Sequence, residues 1–217
     1  MSRRAVSAVV VVVAVVALVA CGSDPAPKPV AARPDVAGWK TWVLPSADAV
    51  AVAPPSSGSE PVSRGAETGT TRDPLGEQWI DLAMDYVSAR VKDPPASSRA
   101  YALISVAMSD ALVAASHWQG VYGPGYPSEQ AAVAGAGSRV LAYLFPEQPA
   151  LRIDELAQEA AGTGPGAAAG LTLGREVADR VVAHARSDGS EQVWAGSRPP
   201  DQPGYWQPPP GSVSPPV

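Results

Sequence analysis

Between residues 99 and 116 the chain reads RAYALISVAMSDALVAAS, with few charges and apolar residues nearly all round a helical wheel. Such a helix has no face suited to water, so its neighbours must cover it, which predicts a bundle with this segment in its middle. The flanking sequence supplies those neighbours. Asp73-Pro74 pairs a good N-cap with a good first helical residue, and Leu75, Trp79, Leu82 and Tyr86 then recur at helical spacing. Lys92-Asp93-Pro94-Pro95 breaks that helix, and Asp93 starts the next. HWQGVYGPGYP, from His117 to Pro127, reads as a turn. A third helix is predicted from Ser128 to about Phe145, a short one over 150–161, and a last one from Ala167 to Arg186. FPEQP, the Gly and Pro residues of 162–166, and Asp188-Gly189 separate or stop them. No strand period and no internal repeat is present. The expected fold is all-α, a bundle of four or five helices with irregular, Pro-rich N- and C-terminal extensions.

The two ends have a different composition. Pro (24) and Gly (20) are both abundant and cluster there, so the compact part is shorter than the 217 residues of the chain. Arg3 and Arg4 precede an almost unbroken apolar run, Ala5 to Ala17, followed by Leu18-Val19-Ala20-Cys21. The run is short for a membrane span and has the flanks of an export signal. LVAC resembles the lipobox of bacterial lipoproteins. That resemblance implies that Cys21 is lipidated and becomes the mature N-terminus, with the membrane as partner and the outer face of the bacterial membrane as location. Cys21 is the only cysteine, so an internal disulfide is excluded. The reading divides the chain into a signal peptide (1–20), a Pro/Ala tether (21–38), an irregular clasp (39–71), a helical domain (72–190) and a Pro/Trp-rich tail (191–217). Trp39 and Trp42 are expected to dock the clasp, and Trp194, Tyr205 and Trp206 to fold the tail back on the bundle. A net charge of −5 offers no basic face for nucleic acid and no basic patch for acidic lipids.

Three segments carry a further resemblance: DPPASSRAYALISVAMSDALVAA (93–115), YPSEQAAVAGAGSRVLAYLFP (126–146) and GLTLGREVADRVVAHARSDGSEQVW (170–194). In this order they are similar to the bacterial vanadium-haloperoxidase-like branch of the type-2 phosphatidic acid phosphatase superfamily. WVLPSADAV and the Trp/Pro tail resemble that branch too, so the likeness covers most of 39–210. The family grips phosphate or vanadate with a Lys, two Arg and a Ser, and uses one His as acid and another as nucleophile. Fixed positive charge and aimed donors hold an oxyanion, and a covalent phosphoryl intermediate needs a nucleophile and an acid. Pro127 and Ser128 match the second motif, and Glu129 matches its branch variant. Gln130 stands where the acid His belongs, and an amide has no proton to give at useful pH. HWQGVYGPG lacks the Lys and Arg of the first motif. Lys92 and Arg99 have its spacing, but Ala100 follows instead of Pro and the pair lies one helix too early. DELAQEAA (154–161) lacks the Ser-Arg and His of the third, and Phe145 stands where a His would follow Ser138-Arg139.

The remaining candidates are structural. His117 and His184 are each expected at a helix C-terminal end, where the dipole favours them. Two such residues without a third ligand make no metal site. Asp81 and Asp85 share a solvated helix face, and GTGPG breaks a helix. The sequence therefore predicts no catalytic residue and no metal, with Ser128 as the remnant of a phosphate site and Gln130 as its degenerate acid position. No cofactor is expected. Vanadate enters only if the chain is instead an active acid phosphatase or haloperoxidase with a rebuilt site. A third alternative is a structural or decayed envelope protein. The leading expectation is an envelope lipoprotein without catalysis that acts by binding a protein or small anion.

Overall fold

The computed structural model describes residues 36–56, 75–91, 93–192, 200, 202–205 and 207. Among them are five helices and no strand, as an all-α bundle requires: α1 (Glu77–Arg90), α2 (Pro94–Tyr122), α3 (Glu129–Leu144), α4 (Ala150–Ala161) and α5 (Ala167–Ala185). Residues 1–35, which include the expected signal segment and Cys21, lie outside the described residues, as do 57–74, Lys92, Trp194 and Trp206. So do Asp73 and Pro74; α1 begins at Glu77, with Gly76 in the N-cap position. Asp93 does cap α2, its carboxylate accepting from the Ala96 amide at 3.0 Å, with prolines in the first turn.

Two sequence expectations change. The segment 117–122 is helix rather than turn, because α2 continues through His117 and Trp118 to Tyr122. Gly120 had suggested a break, but one glycine inside a helix is tolerated where its neighbours are held. Here Trp118 and Tyr122 are held, stacked on each other at 5.4 Å and hydrogen-bonded to the clasp. The chain turns instead at Gly123 and Gly125, both at positive φ that L side chains rarely adopt.

The second change concerns the centre of the bundle. The run 99–116 is well buried, but α3 is the helix that touches all four others. Ala131 to Ser138 are buried without interruption, with Val140 and Leu141 beyond them. Small side chains on α3 let neighbouring backbones approach from several directions. The closest neighbour is α5, which runs parallel to α3. Gly166, Gly170 and Gly174 recur every four residues and set one face of α5 against α3 and the turn before it. A Cβ at Gly174 would stand 1.9 Å from the Ala132 carbonyl oxygen, and one at Gly170 2.4 Å from that of Ser128. Gly135 of α3 reciprocates, since its Cβ would lie 2.5 Å from the Leu171 oxygen. Only glycine permits contacts this close between helix backbones, where weak Cα–H···O contacts contribute.

The other elements fill in around this pair. Trp79 of α1 lies over Gly137, where a Cβ would meet its ring at 2.8 Å. Phe145 is buried and meets Tyr86 edge-on, with ring centroids 5.3 Å apart. Arg175 pairs with Asp154 to join α5 to α4, and Arg90 with Glu147 at 2.8 Å to join α1 to the α3–α4 connection.

The clasp, 36–56, lies along α2. Val36, Leu44, Val50 and Val52 are its buried apolar residues, and Thr41 is buried with them. Trp39 and Trp42, expected to dock it, are exposed instead. Tyr205 is also exposed, so its ring does not fold back on the bundle.

The glycine contacts lead to a paired expectation. Gly174→Ala drives a methyl into a backbone oxygen that cannot step aside, and is expected to cost roughly 3 kcal/mol. Gly120→Ala, exposed and with nothing within 4 Å of the new atom, is expected to raise stability by about 0.5–1 kcal/mol. Urea unfolding of both variants checks the opposite signs.

Candidate functional site

Ser128 stands where the last residues of the α2–α3 turn meet the start of α5. The Tyr126–Pro127 peptide is cis and Pro127 is buried. Gln119 donates from Nε2 to the Pro127 oxygen at 2.8 Å. The Ser128 N–H donates to the Gly166 oxygen at 3.1 Å, and a Cβ at Gly166 would fall 2.1 Å from the Gly125 oxygen. Ser128 is thus clamped against the α4–α5 turn. Its hydroxyl oxygen accepts from the Ala131 amide at 3.2 Å, which makes it the N-cap of α3 as expected.

The other motif positions also have structural work. Gln130 is exposed and donates from Nε2 to the Ala160 oxygen at 2.7 Å, tying the start of α3 to the end of α4. Arg99 donates to Asp188 at 2.7 Å and to the Ala185 oxygen at 2.8 Å, at the far end of α5. Arg139 is paired with Asp179 at 2.6 Å. It lies eleven residues beyond Ser128, about 16 Å along α3. Neither arginine joins Ser128, so neither supplies the fixed positive charge that a phosphoryl group in transfer needs. Ser138 is buried and donates to the Gly135 oxygen of its own helix at 3.1 Å.

His117 was expected at a helix end. It sits inside α2, edge-on to Trp118 at 5.4 Å, because the helix continues past it. His184 is in the last turn of α5, as expected, and is exposed. Asp81 and Asp85 are exposed and flank a shallow groove of about 300 Å³ with Trp79 and Leu156. Among the described residues no three His, Cys, Asp or Glu side chains gather as a metal would need.

Sequence reasoning did not single out the main polar centre. Asp110 is completely buried in α2. Oδ1 accepts from the Trp42 amide at 2.8 Å, and Oδ2 from the Val43 and Leu44 amides at 2.9 and 3.0 Å. A buried carboxylate is tolerated only when its oxygens are well bonded, and charge-assisted bonds from backbone amides are strong ones. Three successive N–H groups curved around one anion form a nest, here built for a side chain of the same protein. Thr41 stiffens the curve by donating to the Leu44 oxygen at 2.7 Å.

The clasp then continues beside α2. Trp118 Nε1 donates to the Val50 oxygen at 2.9 Å, the Tyr122 hydroxyl to Val52 at 3.0 Å and the Tyr126 hydroxyl to Ala53 at 2.9 Å. From α5, Arg180 reaches the Ala49 oxygen at 3.1 Å. Asp48 is held below the usual carboxylate range by the Ser46 hydroxyl and its own backbone amide, with a smaller pull from His117. The one visible sign of this centre in the sequence is a lone carboxylate inside an apolar run. Compared with known proteins, the chain matches no family model, no curated sequence and no solved structure.

Two outcomes are expected. Asp110→Ala leaves three amides without an acceptor beside a new void, and should cost about 3 kcal/mol or more. Proteases should then cut within 36–56 at far lower concentration while helical circular dichroism persists. Asp188 is held well below the usual carboxylate range by the Arg99 guanidinium and then by the Ser190 amide and hydroxyl. A carboxylate with a lowered folded-state pKa adds stability above its unfolded value, and loses it as pH falls through the folded value. Asp188→Asn should therefore melt below wild type at pH 7, with the gap shrinking only below about pH 4. Thermal melts across that range check the sign.

Proposed function

We propose that the chain is a lipid-anchored protein of the bacterial envelope whose helical domain acts by binding, not by turnover. One observation carries the second half of this reading. The polar side chains at Ser128, Gln130, Arg99 and Arg139, which the phosphatase-like comparison singles out, are each taken up by a bond inside the fold. Ser128 Oγ caps α3, Gln130 holds the Ala160 oxygen, and Arg99 and Arg139 are paired with Asp188 and Asp179. An imidazole nucleophile and acid, with cations aimed at one oxyanion, are what phosphoryl transfer in that family demands. On this reading the phosphatase- and haloperoxidase-like segments are a scaffold, retained for its shape. The first half rests on the Arg3-Arg4 pair, the apolar run and the LVAC sequence ahead of Cys21.

Purified protein is expected to hydrolyse p-nitrophenyl phosphate no faster than buffer, and to oxidise no bromide with vanadate and peroxide. Gln130→His is expected to be equally inert, since the nucleophile and cations are not supplied by restoring one acid. Turnover that disappears in Ser128→Ala would overturn the reading. For the anchor, cells fed a labelled fatty acid should label the wild-type chain. Cys21→Ser should lose the label and accumulate at precursor size.

A further inference from the structure

Two tryptophans of the clasp point away from the bundle. Trp39 is 56% exposed and Trp42 77%. The backbone beneath them is not loose. The Trp42 amide is bonded to buried Asp110, and so are the next two amides. Thr41, between the tryptophans, is buried and bonded to the Leu44 oxygen. The Trp39 amide closes a turn on the oxygen of buried Val36. With Val36, Thr41 and Leu44 turned inward, the exposed residues of the same stretch are Gly38, Trp39, Lys40 and Trp42. A rigid mount thus displays two large apolar rings, where a flexible loop could have tucked them in.

We propose that Trp39, Lys40 and Trp42 seat the helical domain in the headgroup region of the lipid bilayer, next to the lipid on Cys21. The proposal rests on the lipid-anchor reading above. The chemistry of the patch fits that surface. An indole has an apolar body and one N–H, which suits the boundary between acyl chains and water. Lys40 can lay its stem along the same boundary and extend its ammonium to lipid phosphates. Reach fits as well, since the eighteen residues from Cys21 to Trp39 span at most about 60 Å when fully extended. An inserted anchor therefore leaves the patch within reach of the bilayer. A second copy of the chain is a poorer occupant. Two indoles offer about 150–250 Å² each, far below the roughly 1,200 Å² that a stable pair buries in total. The contact would fix the orientation of the domain on the membrane, which a tether alone leaves free.

The test uses the whole mature sequence from Gly22, without lipid, so that vesicle contact comes from protein alone. The clasp, α2 and the rest of the described core lie within one compact unit, 35–217, and are all retained. Vesicles are zwitterionic phosphatidylcholine with brominated acyl chains, because the chain is acidic and anionic lipids would repel it. Wild type should sediment with vesicles at millimolar lipid, with tryptophan emission quenched. The Trp39→Ser/Trp42→Ser double variant should bind at least about tenfold more weakly, with an unchanged melting temperature. Equal binding by the double variant, or no binding by wild type, overturns the proposal. So does a lipid-free dimer that the double variant abolishes, since the patch would then serve a second copy. Fatty-acid labelling of the full chain separates this from the anchor. Labelling without Trp-dependent vesicle contact sinks the docking surface and leaves the anchor standing. Trp-dependent contact without labelling supports the surface and removes the anchor.

Discussion

The buried charge of Asp110 sets the terms for the non-helical part of the molecule. A carboxylate at zero exposure inside an apolar helix is untenable alone. Its partners are the amides of Trp42, Val43 and Leu44, which gain as much as the carboxylate does, since buried amides also need acceptors. Each side satisfies the other, so burial of Asp110 and docking of residues 42–44 go together. Once residues 42–44 are fixed, the rest of the clasp falls into register. Val50 and Val52 then meet Trp118 and Tyr122, which share one side of α2, and Ala53 meets Tyr126 in the turn beyond it.

The helical part depends on a different device, the absence of side chains. Gly170 and Gly174 bring α5 onto the backbone of α3, and Gly137 accepts the Trp79 ring on another side. The Ala/Gly composition of α3 explains why it, and not the more apolar α2, lies at the centre. Burial there comes from closeness, not from the bulk of individual residues. The same closeness clamps Ser128, whose N–H is taken by the Gly166 oxygen. A serine held this way is a fastening, and its hydroxyl is already used by the Ala131 amide.

The helices were legible in the sequence because their signals are local. Asp93 and Ser128 are side-chain caps, and Pro and Gly punctuate the breaks, so four of the five helices start or stop close to where those residues stand. The extension of α2 to Tyr122 was not legible. Trp118 and Tyr122 are held there by carbonyl groups of Val50 and Val52, far away in sequence. The Ser128 cap was readable, but the partner of Gln130 was not, since the Ala160 carbonyl carries no side-chain signature. Asp110 is the one carboxylate in 99–116, and its role was not read there because its ligands are backbone amides that every residue but proline possesses. The tryptophans of the clasp were expected to dock it; in 36–56 the valines and Leu44 go in, and the tryptophans stay out.

The clasp and α2 run in the same direction, from Asp110 towards Tyr126. That arrangement has a mechanical side. Tension reaching the domain from the N-terminal side of Val36 meets the Asp110 nest first. There three strong bonds converge on one side chain, so they share the strain and must yield together. The bonds to Val50, Val52 and Ala53 lie behind it and are shielded until it gives way. Peeled from the opposite end, the same segment would lose single hydrogen bonds one at a time. The joint is polarised, firm towards the N-terminal side of the segment and yielding towards the other.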